Sequence, residues 1–218
     1  MDISGPPLNL SGVKIWKHVL DRAEQAALVV DLRAAVAAAP LIAPVTPGGR
    51  PMSVRMTAAG RLGWVTDRGG YRYQAHHPSG APWPAIPPLA LAAWAALSGW
   101  PDAPDCCLIN WYGQGARMGM HQDRDEGDFA APVLSISLGD PAVFRVGGVE
   151  GPSPSRSAAL DSGDVALIGG AARLAFHGVD RIRFGVSTLL PGGGRINLTM
   201  RVVRGDRIGT QIETQTAI

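Results

Sequence analysis

Cysteine is nearly absent from this chain: two in 218 residues, Cys106 and Cys107, and those are adjacent. Neighbouring cysteines rarely bridge each other, so no disulfide framework is expected and a reducing cytoplasm is the simplest location. Two thiols are also too few for a zinc module. Long hydrophobic runs are missing as well. The longest, Leu89 to Leu97, falls far short of the roughly 20 apolar residues that span a bilayer. The N-terminus has no basic segment leading into an apolar core, so no secretory signal is expected. Neither sign of charge dominates, because 20 Lys and Arg face 18 Asp and Glu, for a net charge of +2. That balance permits a nucleic-acid partner without requiring one. No internal repeat or low-complexity segment is present.

What the chain has is enough hydrophobic residues, 46%, for one sizeable core, and 28 Gly and 18 Pro that cluster between short apolar runs. Asp21 to Ala39 reads as a helix: Asp21 can cap it, Glu24 sits at the capping-box position, and Pro40 stops it. A second helix is expected over Leu89–Ser98, entered through the proline-rich turn from Trp83. Between them, Pro51 to Tyr73 reads as short strands and turns. From Cys106 onward short strands repeat, with candidates at Cys107–Tyr112, Pro132–Leu138, Ala142–Val146, Ser157–Leu160, Asp164–Ile168, Ala175–Val179, Arg183–Ser187 and Gly194–Val203. Residues 204–218 read as a loose tail. The expected fold is mainly β (α+β), with helices ahead of a barrel or double-sheet core.

Three residues stand out chemically. His121 and Asp123 lie two apart, on one face of an extended segment, and His177 sits at an expected strand end. Two histidines and one carboxylate on one side of a metal form the facial triad of non-haem Fe(II) oxygenases, which leaves positions open for a cosubstrate and O2. A His-x-Asp alone is common by chance. His18, His76 and His77 pair with nothing at useful spacing and read as surface or loop residues.

Arg195 to Arg201 alternates polar and apolar without a break, so Arg195, Asn197, Thr199 and Arg201 share one strand face. Taken alone, that is a solvated basic face. Facing a barrel interior, two guanidiniums would need anions, and 2-oxoglutarate supplies two carboxylates that arginine grips bidentately. Asn110 and Tyr112 repeat the arrangement on another strand. Trp64, Tyr71 and Tyr73 in a glycine-rich stretch suit a base-stacking cover, although core packing explains Trp64 equally simply.

Asn110-Trp111-Tyr112, His121-Gln122-Asp123-Arg124-Asp125-Glu126, Leu174 to Gly178 and Arg195 to Arg201 together resemble AlkB-type nucleic-acid dealkylases. Upstream, Thr46-Pro47-Gly48-Gly49, Met52-Ser53-Val54, Leu62-Gly63-Trp64 and Pro82-Trp83-Pro84 resemble the bacterial members, so the similarity runs from about residue 40 to residue 203. The resemblance implies a double-stranded β-helix (jelly-roll) core and a nucleotide-recognition lid. Residues 1–203 would be one catalytic domain, with the lid at 41–85 and the core at 105–203. It implies His121, Asp123 and His177 as Fe(II) ligands, and Asn110, Tyr112, Arg195, Asn197 and Arg201 as contacts to 2-oxoglutarate. Trp64 and Tyr71 would contact a flipped nucleotide, and Asp125 would lie near the base's exocyclic amine, although a loop salt bridge explains Asp125 as well. The implied reaction consumes O2 and removes methyl groups from 1-methyladenine and 3-methylcytosine, releasing formaldehyde. Methylated DNA is the implied substrate, and nothing in the sequence demands more than a monomer. RNA, a small molecule, or a non-catalytic binding module are the competing readings. One position departs from the pattern: Gly151 stands where prototype members carry a substrate-contacting arginine, and Arg156 lies nearby.

Overall fold

The computed structural model describes residues 1–151 and 153–203. Thirteen strands and two α-helices follow in the order β1 (Leu8–Leu10), β2 (Val13–Trp16), α1 (Arg22–Ala38), β3 (Arg55–Gly60), β4 (Gly63–Asp67), β5 (Gly70–Gln74), α2 (Pro88–Leu97), β6 (Cys106–Tyr112), β7 (Met118–His121), β8 (Val133–Gly139), β9 (Ala142–Val146), β10 (Arg156–Leu160), β11 (Val165–Ile168), β12 (His177–Ile182) and β13 (Arg195–Arg201). They build a seven-stranded sheet ordered β1-β2-β11-β8-β13-β6-β3, a four-stranded sheet ordered β10-β9-β12-β7, and the separate hairpin β4-β5. Every pairing is antiparallel.

The alternation of β13 decides which way the large sheet faces. Leu198 and Met200 pack with Leu28, Leu32 and Trp94 of the helices, so one sheet face is covered by α1 and α2. The other face meets the small sheet, where Leu108 and Val133 pack with Phe144, Val146 and Val179. A strand with period 2 can serve both faces only if its polar residues find partners inside the fold, and those partners make the site.

α1 starts where its cap requires. The Asp21 carboxylate accepts the Glu24 N–H at 2.8 Å and Glu24 accepts the Asp21 N–H at 3.0 Å. α2 opens on Pro88, where a missing N–H costs nothing. The long strands appear within a residue or two of their expected places. The stretch 105–203 does not complete the large sheet alone, because β1, β2 and β3 extend its two edges. β1 and β2 hold three and four residues, too few for a periodic signal.

One expectation is corrected. Arg183–Ser187 is not a strand: the backbone N–H groups of Gly185, Val186 and Ser187 turn onto the Asp140 carboxylate at 2.8–2.9 Å, with Gly185 at φ 77°. The β12 strand instead starts at His177 and runs on to Ile182. His77, expected at the surface or in a loop, is a loop residue but a buried one, with Nε2 donating to the Pro40 carbonyl at 3.0 Å and Nδ1 held by Ser79. The expected tail, 204–218, lies outside the described residues.

Candidate metal and cosubstrate site

β7 and β12 pair so that His121 and His177 stand directly opposite each other. Gly178 makes that pairing possible, because a Cβ there would come within 2.7 Å of the Met118 carbonyl oxygen. Asp123 follows β7 on an irregular loop. Its two carboxylate oxygens lie 3.7 Å from His121 Nε2 and 3.6 Å from His177 Nε2. Each imidazole directs Nδ1 to a backbone carbonyl two residues upstream, Gly119 for His121 and Ala175 for His177, at 2.9 Å. That bond fixes the tautomer in which Nδ1 donates, and it leaves both Nε2 lone pairs facing the carboxylate.

Asp123 and His177 are buried, and Asp123 Oδ2 has no hydrogen-bond partner. Burial opposes ionisation of Asp123, but the Arg201 guanidinium and the two imidazoles hold its carboxyl well below the usual range. Burial pushes His177 down to about 4, which keeps the ring neutral. The Asp123 carboxylate and the neutral His177 ring thus converge with His121 Nε2. The three donor atoms all lie within 4.8 Å of one another. This donor set fits a divalent iron ion bound on one side.

The same cavity, about 350 Å³, takes in the polar face of β13. In the β6–β13 register, Arg195 stands opposite Tyr112 and Asn197 opposite Asn110, so four polar side chains form one patch. Arg195 is fully buried. It donates to Ser137 Oγ at 2.7 Å and lies 3.4 Å from the Asp140 and Leu160 carbonyls, and Nε is unpartnered. Among the described residues no carboxylate pairs with it, and burial pushes its pKa down. Asp161 and Asp164 act on it only from beyond salt-bridge distance, and a desolvated guanidinium with no carboxylate in contact is costly, so this geometry favours an anionic ligand. Burial also pushes the Tyr112 phenol up to about 12, which keeps it a neutral donor. Asn110 Oδ1 is another buried, unpartnered atom. Arg201 is different. It already donates to Asp123 Oδ1 at 2.7 Å and lies 3.3 Å from Glu126 Oε1, while NH1 stays free.

The hairpin β4–β5 overhangs the cavity. Trp64 and Tyr71 stack with ring centroids 5.5 Å apart, and Trp64 Nε1 donates to Asp125 Oδ2 at 2.8 Å. All eleven residues expected at the site line this one cavity: Trp64, Tyr71, Asn110, Tyr112, His121, Asp123, Asp125, His177, Arg195, Asn197 and Arg201. Arg156 does not line it, and Gly151 faces open space.

Sequence reasoning passed over a buried charge cluster beneath these residues. Glu126 accepts from the Tyr73 hydroxyl and from Arg173 at 3.0 Å, and Arg173 also donates to the Asp123 carbonyl at 2.7 Å. In the sequence only Tyr73, two residues from Tyr71 on the same strand face, and Glu126, three after Asp123, point to it.

Over residues 12–201 the sequence matches the model of the 2OG-Fe(II) oxygenase superfamily. An alpha-ketoglutarate-dependent dioxygenase AlkB homolog from Caulobacter vibrioides is 54% identical over 203 residues, covering 93% of this chain and 92% of the relative. The chain belongs to the AlkB family of 2OG-Fe(II) dioxygenases. AlkB of Escherichia coli is 42% identical over 201 residues, covering 89% of this chain and 91% of its own length. The solved structure of OsALKBH1 superposes with a TM-score of 0.74 at 29% identity, covering 89% of this chain and 98% of the other. The architecture is therefore the jelly roll of these dioxygenases, and the chain is an enzyme that uses Fe(II), 2-oxoglutarate and O2. Among the described residues, no helix is long and apolar enough to cross a membrane.

Proposed function

We propose that this dioxygenase oxidatively demethylates 1-methyladenine and 3-methylcytosine in DNA, a direct reversal of alkylation damage. The observation that carries the reading is that Trp64, Tyr71 and Asp125 overhang the same cavity as the triad and Arg195. His121, Asp123 and His177 hold the iron. Arg195 grips the distal carboxylate of 2-oxoglutarate, with Tyr112 beside it, while Asn110, Asn197 and the free NH1 of Arg201 line the way to the metal. Iron, 2-oxoglutarate and O2 together supply the oxidising power, with succinate, CO2 and formaldehyde as products.

The remaining work belongs to the chain. A methylated base inside a duplex is out of reach, so it must be flipped or already single-stranded. Trp64 and Tyr71 offer it an aromatic face, worth roughly 1–3 kcal/mol per stacked base. Both methylated bases are cations at neutral pH, and Asp125 favours them over uncharged normal bases in a partly dry pocket. The Arg201–Asp123 bond fixes the metal-binding carboxylate, and Arg173 and Glu126 brace the loop that carries it.

Residues 1–203 act as one catalytic unit, with the lid within 41–85 and the core over 105–203. The reading takes the enzyme as a monomer. Two unpaired, buried cysteines support a cytoplasmic location. The decisive experiment incubates the protein with methylated single-stranded DNA and, separately, methylated tRNA, with formaldehyde as the readout. Release from the DNA is expected. Release from tRNA alone would move the substrate to RNA, and release from neither would refute base demethylation.

A further inference from the structure

The buried charge cluster beneath the cavity runs from the metal ligand Asp123 to the overhanging hairpin. Glu126 is its centre and is buried. Its Oε1 accepts from the Tyr73 hydroxyl of β5 and lies 3.3 Å from Arg201 Nε, while Oε2 accepts from Arg173 at 3.0 Å. Both arginines then reach Asp123, Arg201 at carboxylate Oδ1 and Arg173 at the backbone carbonyl, each at 2.7 Å. Two carboxylates and two guanidiniums thus balance out of water, with the Tyr73 phenol joined at the edge. Burial pushes that phenol well up, so it stays a neutral donor. Tyr73 is not among the residues that line the cavity. In the hairpin register it stands opposite Trp64, which does line it and stacks on Tyr71. Side chains directly opposite on a hairpin lie roughly 5 Å apart at Cβ and constrain each other. A shift of Trp64 is therefore passed to Tyr73, and through Glu126 to both contacts that hold Asp123.

We propose that Tyr73 is a positioning residue that couples occupancy of the site under the hairpin to the placement of Asp123. This role rests on the base-demethylating function proposed above. A base seated against Trp64 and Tyr71 fixes the hairpin, and the Tyr73 hydroxyl then fixes Glu126. Arg201 and Arg173 in turn hold Asp123 where His121 and His177 converge. With the site empty, the hairpin is looser and the carboxylate less well placed. A filled base site and a bound metal should therefore strengthen each other, by the same factor in both directions.

A buried hydroxyl needs a partner in any case, so Tyr73 could donate to Glu126 for the sake of the fold alone. Tyr73→Phe separates the two uses, since it keeps the ring and removes only the donor. A bond that serves the fold alone lowers Tm when lost and leaves the coupling intact. Fe(II) affinity is measured by equilibrium dialysis without O2 and with saturating 2-oxoglutarate. Each protein is dialysed with and without a single-stranded oligonucleotide carrying one 3-methylcytosine. The ratio of the two dissociation constants is the coupling factor, and unfolded protein cancels from it. Anisotropy of the labelled oligonucleotide, with and without Fe(II), reads the same factor from the other side. Thr66→Val is the control, because it removes a different hairpin hydroxyl bond, from Thr66 Oγ1 to the Val45 carbonyl at 3.0 Å, that does not lead to Asp123.

The wild type should show a factor of about fivefold or more, the usual size of coupling between two sites. Tyr73→Phe should bring the factor close to unity, and Thr66→Val should keep the wild-type value. A wild-type factor of unity, a factor retained in Tyr73→Phe, or an equal loss in Thr66→Val would overturn the proposal while leaving the demethylase reading in place. A wild type that binds the oligonucleotide no better with the methyl group than without it, and releases no formaldehyde from it, would refute that reading, and the role of Tyr73 with it.

Discussion

His121 and His177 each commit Nδ1 to a carbonyl two residues upstream, and this shared geometry leaves both Nε2 atoms facing Asp123. Removing one of them should be selective. His121→Ala is expected to weaken Fe(II) binding by more than about tenfold and to abolish formaldehyde release, with equilibrium dialysis and the turnover assay as the checks. Its Tm should barely move, because the His121 side chain is 40% exposed and supports little packing. The two arginines of β13 should behave differently from each other. Among the described residues Arg195 forms no salt bridge with a carboxylate, so Arg195→Lys should raise the half-saturating 2-oxoglutarate concentration by about tenfold or more, since lysine cannot make the bidentate contact. Unchanged half-saturation would remove Arg195 from the cosubstrate site. Arg201→Ala should raise the 2-oxoglutarate requirement and also lower Tm, because it leaves Asp123 buried without its guanidinium partner, while Glu126 keeps only Arg173.

The segment between β12 and β13 owes its shape to Asp140. Burial opposes ionisation there, but four backbone N–H donors, from Gly185, Val186, Ser187 and Gly194, hold its carboxyl below the ordinary value. A lowered pKa stabilises the fold above the unfolded-state value near 4 and loses that contribution as pH falls through the folded value. Asp140→Asn should therefore cost about 1–3 kcal/mol at pH 7, with the gap to wild type closing below pH 4. Urea denaturation at both pH values measures it, and a constant gap would refute the assignment. Because Gly194 leads directly into Arg195, the same variant should also weaken 2-oxoglutarate binding. No pattern in the sequence marks Asp140, since its partners are backbone groups up to 54 residues away. By contrast, α1 was legible to the residue, because its capping box is local.

Across the whole molecule, the two histidines and the polar face of β6 and β13 stand on two packed sheets, Asp123 on the loop after β7, and Trp64 and Tyr71 on a separate hairpin. That division predicts uncoupling. Trp64→Ala should lose demethylation of DNA yet still consume 2-oxoglutarate slowly when no DNA is present, as succinate formation would show. Loss of both would mean that the hairpin also supports the core. Residue identity and period along the chain determined the α1 cap, the long strands, the polar face of β13 and the His-x-Asp pair, since each is written within a few neighbouring residues. Tertiary structure alone decided that the polar face of β13 looks into a cavity rather than water. It also decided that His177 pairs across from His121, that His77 is buried, and that Glu126 and Arg173 join beneath the metal site. Those facts depend on contacts between residues far apart in sequence, where neither periodicity nor spacing leaves a trace.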